Sequence, residues 1–174
     1  MNKKSPADKI QDLQFFGEYG GVNPSIADST TFTYLAGKTM GDVFEGNREG
    51  CYLYSRHTNP STSYLGQAIA QMENMQGAIL TASGMAAITS SILQICNSGD
   101  EIISSQTVYG GTYAFMKNYL PKFGIKTNFV DINNLDAINN KINSKTKVIY
   151  CETMSNPLLE ISDIQAISKI TKKN

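Results

Sequence analysis

Ala78-Ile79-Leu80-Thr81-Ala82-Ser83-Gly84-Met85-Ala86-Ala87-Ile88 is the stretch on which the reading of this sequence turns. An apolar run, Ala78 to Leu80, enters through Thr81-Ala82, turns at Ser83-Gly84 and passes directly into a helical pattern at Met85 to Ile88. A strand that turns straight into a helix presents the helix's open N–H groups and positive dipole end to whatever lies in front, and this suits an anion. Gly84, with no Cβ, permits close backbone approach. Ser83, Gly84 and Met85 are therefore candidates for holding a phosphate; by themselves they read more readily as an ordinary tight turn.

Downstream, the same strand-then-helix rhythm recurs. Apolar strands are expected near Gly77, Asp100, Ile125 and Lys147, about 23, 25 and 22 residues apart, the length of a strand plus a crossover helix. Helical spacing lies between them in Met85, Ile88, Ile92 and Ile95, in Tyr113, Met116 and Leu120, and in Leu135, Ile138 and Ile142. Val148-Ile149-Tyr150-Cys151 is continuously apolar, as in a strand covered on both faces. The pattern predicts an α/β domain with a largely parallel sheet and flanking helices. A last helix is expected from Ser162, where Ser162-Asp163-Ile164-Gln165 has capping-box form and Ile164 and Ile167 supply an apolar face. No strand follows it, so the sheet reads as incomplete.

Upstream, residues 1–50 carry weak periodicity and turn signals at Gly20-Gly21, Asn23-Pro24, Gly41-Asp42 and Gly46-Asn47. They predict an extended arm, with the domain proper over residues 51–174. Asn59 and Pro60 fit the N-cap and first position of a helix. Leu65, Ile69, Met72 and Met75 would dock that helix on a core.

In a parallel sheet the loops after the strands gather at the carboxyl edge, where ligands bind. Tyr109, in Val108-Tyr109-Gly110-Gly111-Thr112, opens a helix there, so its ring either lies on a flat cofactor near Gly84 or packs. Glu152 and Asn156 follow the fourth strand. The Asn156 amide suits a polar ring substituent, and Asn156-Pro157 equally suits a plain turn. Tyr54 and Arg56 pair a phenol with one of only two guanidiniums in the chain, a combination fit for phosphate oxygens or for a bare surface. His57, the only histidine, reads as structural or solvent-facing. Cys51, Cys96 and Cys151 are odd in number and lack C-x-x-C spacing, and they read as buried or incidental thiols.

Fifteen basic and fifteen acidic residues cancel, so no net field draws nucleic acid or anionic lipid. No apolar run approaches the ~20 residues of a membrane span, and no apolar signal core follows the polar start. A cytoplasmic location is the default expectation.

Together, Tyr54-Ser55-Arg56-His57-Thr58-Asn59-Pro60, Ser83-Gly84-Met85-Ala86-Ala87-Ile88, Tyr109-Gly110-Gly111-Thr112 and Glu152-Thr153-Met154-Ser155-Asn156-Pro157 resemble the Cys/Met-metabolism family of pyridoxal-phosphate (PLP) enzymes. That family includes cystathionine γ-synthase, cystathionine γ-lyase, methionine γ-lyase and the homoserine-ester sulfhydrylases. The resemblance spans roughly residues 20–174 and implies an incomplete large domain of the aspartate aminotransferase-like PLP-dependent transferase fold. It implies that Ser83, Gly84 and Met85 hold the cofactor phosphate. Tyr109 would stack on the pyridine ring as a catalytic residue, and Asn156 would lie near the ring hydroxyl with Glu152 in support. Tyr54 and Arg56 would reach a neighbouring subunit's cofactor in a homo-oligomer, usually a tetramer. The implied substrates are small sulfur amino acids or homoserine esters, handled by γ-elimination or γ-replacement.

Ser144-Lys145-Thr146-Lys147 matches the S-x-T-K pattern of the family's cofactor-anchoring lysine, but it precedes a strand that the family's lysine should follow at a distance. Lys147 is accordingly read as structural. The implied N-terminal portion of a longer enzyme is expected to be inactive alone; the alternative is a non-catalytic remnant acting as a binding or assembly module. Gly111 occupies the place where methionine γ-lyases typically carry cysteine.

Overall fold

The computed structural model describes residues 5–6, 18–48 and 50–173. Of the expected arm, residues 1–4, 7–17 and 49 lie outside them. The chain divides into two compact units, Met1–Leu80 and Thr81–Asn174.

In the first unit, helix α1 spans Gly37–Phe44 and α2 spans Pro60–Glu73. The start of α2 is the expected one. Asn59 Oδ1 accepts from the Thr62 N–H at 3.0 Å, while Thr62 Oγ1 accepts from the Asn59 N–H at 3.2 Å, so two orphan donors of the helix end are satisfied reciprocally. Asn59 Nδ2 also donates to the Ala27 carbonyl at 2.7 Å, and the Ala27 N–H donates to Ser61 Oγ at 2.8 Å. A Thr31–Tyr54 bridge extends this attachment, and none of residues 19–48 is buried.

The buried face of α2 is not the expected one. Leu65, Ile69, Met72 and Met75 are all exposed, whereas Gly66, Ala68 and Ala70 are buried. Close approach decides this at Gly66, where a Cβ would stand 2.8 Å from the Ala78 carbonyl oxygen, so no larger side chain fits there. The expected first strand is also absent. Ala78–Leu80 joins no ladder among the described residues, and Ile79 is 90% exposed. An apolar run becomes a strand only where an edge satisfies its N–H and C=O groups.

In the second unit, α3 (Gly84–Ile95) precedes β1 (Glu101–Ser105). Next come α4 (Gly110–Ala114), β2 (Lys126–Val130), α5 (Leu135–Asn139), β3 (Thr146–Tyr150) and α6 (Ile164–Lys173). The three strands run parallel in the order β2-β1-β3. Period-two alternation sends Ile102 to one face, where Ile92, Cys96, Met116, Leu120 and Ile125 surround it, and Ile103 to the other, among Val130, Ile132, Ile138 and Ile167. Helix α4 continues as a wide turn, Phe115–Tyr119, and a tight turn, Leu120–Phe123; Pro121 lacks the N–H that a regular α-helix needs there.

Two finer expectations shift. Cys96 rather than Ile95, which is 53% exposed, completes the inner face of α3. Helix α6 is capped by Asp163, whose Oδ1 accepts from the Ala166 N–H at 2.9 Å, and not by Ser162. The Ser162 hydroxyl is already committed to the Glu152 carbonyl at 2.7 Å. No described helix is long and apolar enough to cross a membrane.

At the amino edge of the sheet the Glu101 carboxylate accepts from Asn128 Nδ2 at 2.8 Å, Asn143 Nδ2 at 3.1 Å and Lys126 Nζ at 3.4 Å. It thereby joins β1 to β2 and to the loop before β3. The hydrogen bonds from Asn143 and then Asn128 hold this carboxyl below its ordinary pKa. A carboxylate whose pKa is depressed on folding contributes stability that is complete above its unfolded pKa and is lost as pH falls through the folded one. In Glu101→Gln, chemical denaturation should therefore show a smaller loss of stability on acidification below the ordinary carboxylate range. Ile103 is fully buried, and Ile103→Ala should cost ~2–5 kcal/mol in urea unfolding.

Candidate functional site

Ser83 is extended (φ −159°, ψ 157°) and its Oγ accepts from the Ala86 N–H at 3.1 Å, so the residue is the N-cap of α3. The Ser83 carbonyl receives Thr81 Oγ1 at 2.9 Å and the Ala87 N–H at 3.1 Å. This accounts for the third and fourth amides of the helix and leaves those of Gly84 and Met85 as its open donors. Both Ser83 and Gly84 are exposed, and the position of a Cβ on Gly84 has no heavy atom within 4 Å. Open donors, a positive dipole end and free space are the features that suit an anion.

Tyr109 is placed by the loop after β1. Gln106 donates to the Val130 carbonyl at 2.9 Å, Thr107 donates to Ser105 Oγ at 3.1 Å, and Val108 is buried. The Tyr109 N–H then donates to Glu152 Oε1 at 2.9 Å, and its carbonyl accepts from Tyr113 to open α4. The residue is 54% exposed. Glu152 is itself fixed through Ser162, in a loop closed by the Met154–Ile161 bridge and by Ser155, whose N–H donates to the Glu160 carbonyl at 2.9 Å.

The structure thus joins Tyr109 to Glu152 directly. It joins Tyr109 to Met85 through Gly111: a Cβ there would meet Tyr109 Cε1 at 2.6 Å and Met85 Sδ at 3.3 Å. Asn156 stands exposed in the turn of the Glu152 loop, and its side chain makes no hydrogen bond among the described residues. Tyr54 and Arg56 belong to the first unit, where the guanidinium lies 5.0 Å from the Tyr54 ring centre and His57 meets that ring edge-on at 6.4 Å. Lys147 is an exposed residue of β3 at a register shift near the amino edge, away from the loops that carry Tyr109 and Glu152.

Thr112, Tyr150 and Ser162 were given no role at the site by the sequence reading. Thr112 is fully buried, with its hydroxyl 3.9 Å from the Met85 sulfur. Burial pushes the Tyr150 phenol above its ordinary pKa, the Thr112 hydroxyl opposing this and the Glu152 charge adding to the rise. Ser162 orients Glu152. The available signal for Thr112 was its inward position one residue after two glycines; Ser162 gave none, because its partner is a distant backbone carbonyl.

A family model for Cys/Met metabolism PLP-dependent enzymes matches residues 10–174, and the chain belongs to that family. It is 42% identical over 171 residues to a methionine gamma-lyase of Arabidopsis thaliana, covering 95% of this chain and 39% of that enzyme. An O-acetyl-L-homoserine sulfhydrylase of Leptospira meyeri is 39% identical over 128 residues, covering 74% of this chain and 29% of that one. Among solved structures, one described as an O-acetylhomoserine (thiol)-lyase of Campylobacter jejuni, containing a pyridoxyl-lysine monophosphate, superposes with a TM-score of 0.88. It is 31% identical, over 98% of this chain and 42% of that one. The chain thus spans about two fifths of the length of its most similar relatives, and its fold is the corresponding part of the PLP-dependent large domain.

The family's cofactor is pyridoxal 5'-phosphate. The second unit fits such a group, because it offers an uncrowded helix N-terminus for a phosphate and the ring of a half-exposed tyrosine for a planar heterocycle. Two substitutions test the framework. Ser83→Ala should lower stability by ~1 kcal/mol, the usual effect of removing an N-cap, as read by urea unfolding. Glu152→Ala should speed hydrogen exchange at the Tyr109 amide about tenfold, through loss of a charge-assisted bond.

Proposed function

We propose that this chain supplies the cofactor-binding portion of a PLP-dependent enzyme that carries out γ-elimination or γ-replacement on methionine, cystathionine or a homoserine ester. The observation that carries the reading is the tie between the Tyr109 amide and the Glu152 carboxylate. It holds a half-exposed tyrosine at the carboxyl edge of a parallel sheet, in a chain with the family's motifs in order.

When bound, PLP supplies an electron-withdrawing ring that stabilises negative charge at the substrate's α-carbon. In this reading Ser83 fixes the helix end, and the amides of Gly84 and Met85 bind the phosphate. The Tyr109 ring stacks on the pyridine and acts catalytically beside it. Asn156 contacts the ring hydroxyl, while Glu152 holds the Tyr109 backbone in place. Tyr54 and Arg56 serve the cofactor of a neighbouring subunit, and this makes the active form a homo-oligomer, taken as a tetramer. The reading also includes an arm over residues 1–50, a cofactor-binding part over 51–174 and a cytoplasmic location. Transfer and lyase chemistry share these binding groups, so the reading does not select between them.

The loops over residues 81–87, 106–112 and 151–161 contain no lysine, so the 174 residues alone are expected to bind PLP without turning over substrate. Titration with PLP, followed by absorbance, should give saturable binding that Tyr109→Ala weakens roughly 3- to 10-fold, as expected for loss of an aromatic contact. Absence of saturable binding would overturn the reading. Turnover of methionine or cystathionine by these residues alone would overturn the expected inactivity. Coding sequence beyond residue 174 with a second S-x-T-K supports the enzyme, and a stop codon there favours the binding remnant.

A further inference from the structure

We propose that the open edge of β3 is a docking surface for a separate polypeptide, one that brings further strands to the sheet together with a cofactor-anchoring lysine. The lysine rests on the functional reading above; the surface is a property of this chain. Among the described residues β3 pairs only with β1, so its outer edge presents N–H and C=O groups that no ladder satisfies. The side chains show the same gap. In β1, paired on both sides, Ile102 and Ile103 are fully buried, whereas Val148 and Ile149 of β3 are half-buried although they pack on the same two cores.

A groove flanks each face of this edge. On one face Val148 and Tyr150 adjoin Ile88, Ile92 and Ile95 of α3; on the other, Ile149 adjoins Ile142 and, from α6, Thr171. A strand laid along the edge would send alternate side chains into the two grooves. Lys147 stands at the register shift near the start of β3, which leaves Val148–Tyr150 uncharged. The sheet's other free edge is guarded: Lys117 and Lys126 line the groove beside β2, and lysines on an edge oppose further pairing.

The occupant that fits is more of the same fold. The chain superposes over 98% of its length on the Campylobacter jejuni structure yet spans 42% of that chain, and its own carboxyl-edge loops lack a lysine. A second copy would bring the same gap. Both cores close with residues of this chain, and Asp163 caps α6, so the surface exists before anything docks and does not depend on covalent continuity.

Co-expression of the unaltered chain with the part of the Arabidopsis enzyme that follows the matched segment, as two polypeptides, tests this. Size exclusion should show a one-to-one complex, and the β3 amides that do not bond β1 should exchange at least about tenfold more slowly in it than in the chain alone. Ile95→Asp, at a 53% exposed position in the α3 groove, should abolish the complex, while Phe123→Asp, 56% exposed and outside both grooves, should leave it. Should Ile95→Asp fail to fold, Ser91→Arg, at an exposed position in the same groove, takes its place. No complex, unchanged β3 exchange, or equal loss in Phe123→Asp would each overturn the proposal. So would a dimer of the chain alone with β3 already protected, since a second copy would then hold the edge. Methionine turnover by the complex supports the functional reading. A complex with protected β3 and no turnover overturns that reading and leaves the docking surface standing.

Discussion

Parallel pairing of β1 on both of its edges is the constraint from which the rest of the second unit follows. With β2 on one side and β3 on the other, β1 has no free edge, and its successive isoleucines must bury on opposite faces. Helices are needed on both sides of the sheet, and the long connections between parallel strands supply them. The same pairing gathers the loops after β1 and β3 at one edge, which is how residues 109 and 152, 43 positions apart in sequence, come to share a hydrogen bond.

Three of the four expected strands, and the helices between them, were legible because their signals are local: apolar runs, 3.6-residue spacing and cap residues. The pairing of Asn59 with Pro60 signalled the start of α2, and the capping box found there closes within four residues. What failed depended on partners. The face of α2 was misread because hydrophobicity ranked Leu65 and Ile69 above Gly66 and Ala70, although backbone proximity at Ala78 favours the smallest side chain. Ala78–Leu80 has strand composition without an edge to bond. Ser162 has cap composition but gives its hydroxyl to Glu152.

The site was legible in its residue types and much less so in its wiring. Ser83 and Tyr109 were visible as helix openers. Glu152 entered the sequence reading as support for Asn156, yet its carboxylate is bound to the Tyr109 amide, and Asn156 has no hydrogen-bonded link to it among the described residues. Periodicity cannot express a contact across 43 residues, nor the approach of the Thr112 hydroxyl to the Met85 sulfur.

The Glu101 cluster has a consequence of a different kind. It ties β1 to β2 and to the loop that leads into β3, at the edge opposite the loops that bear Tyr109 and Glu152. The fastening and the chemistry proposed for the loops thus lie at opposite ends of one sheet. Substitutions in the loops can accumulate without loosening the strand starts, and a fastening of this sort lets one scaffold drift among related substrates while it keeps its shape.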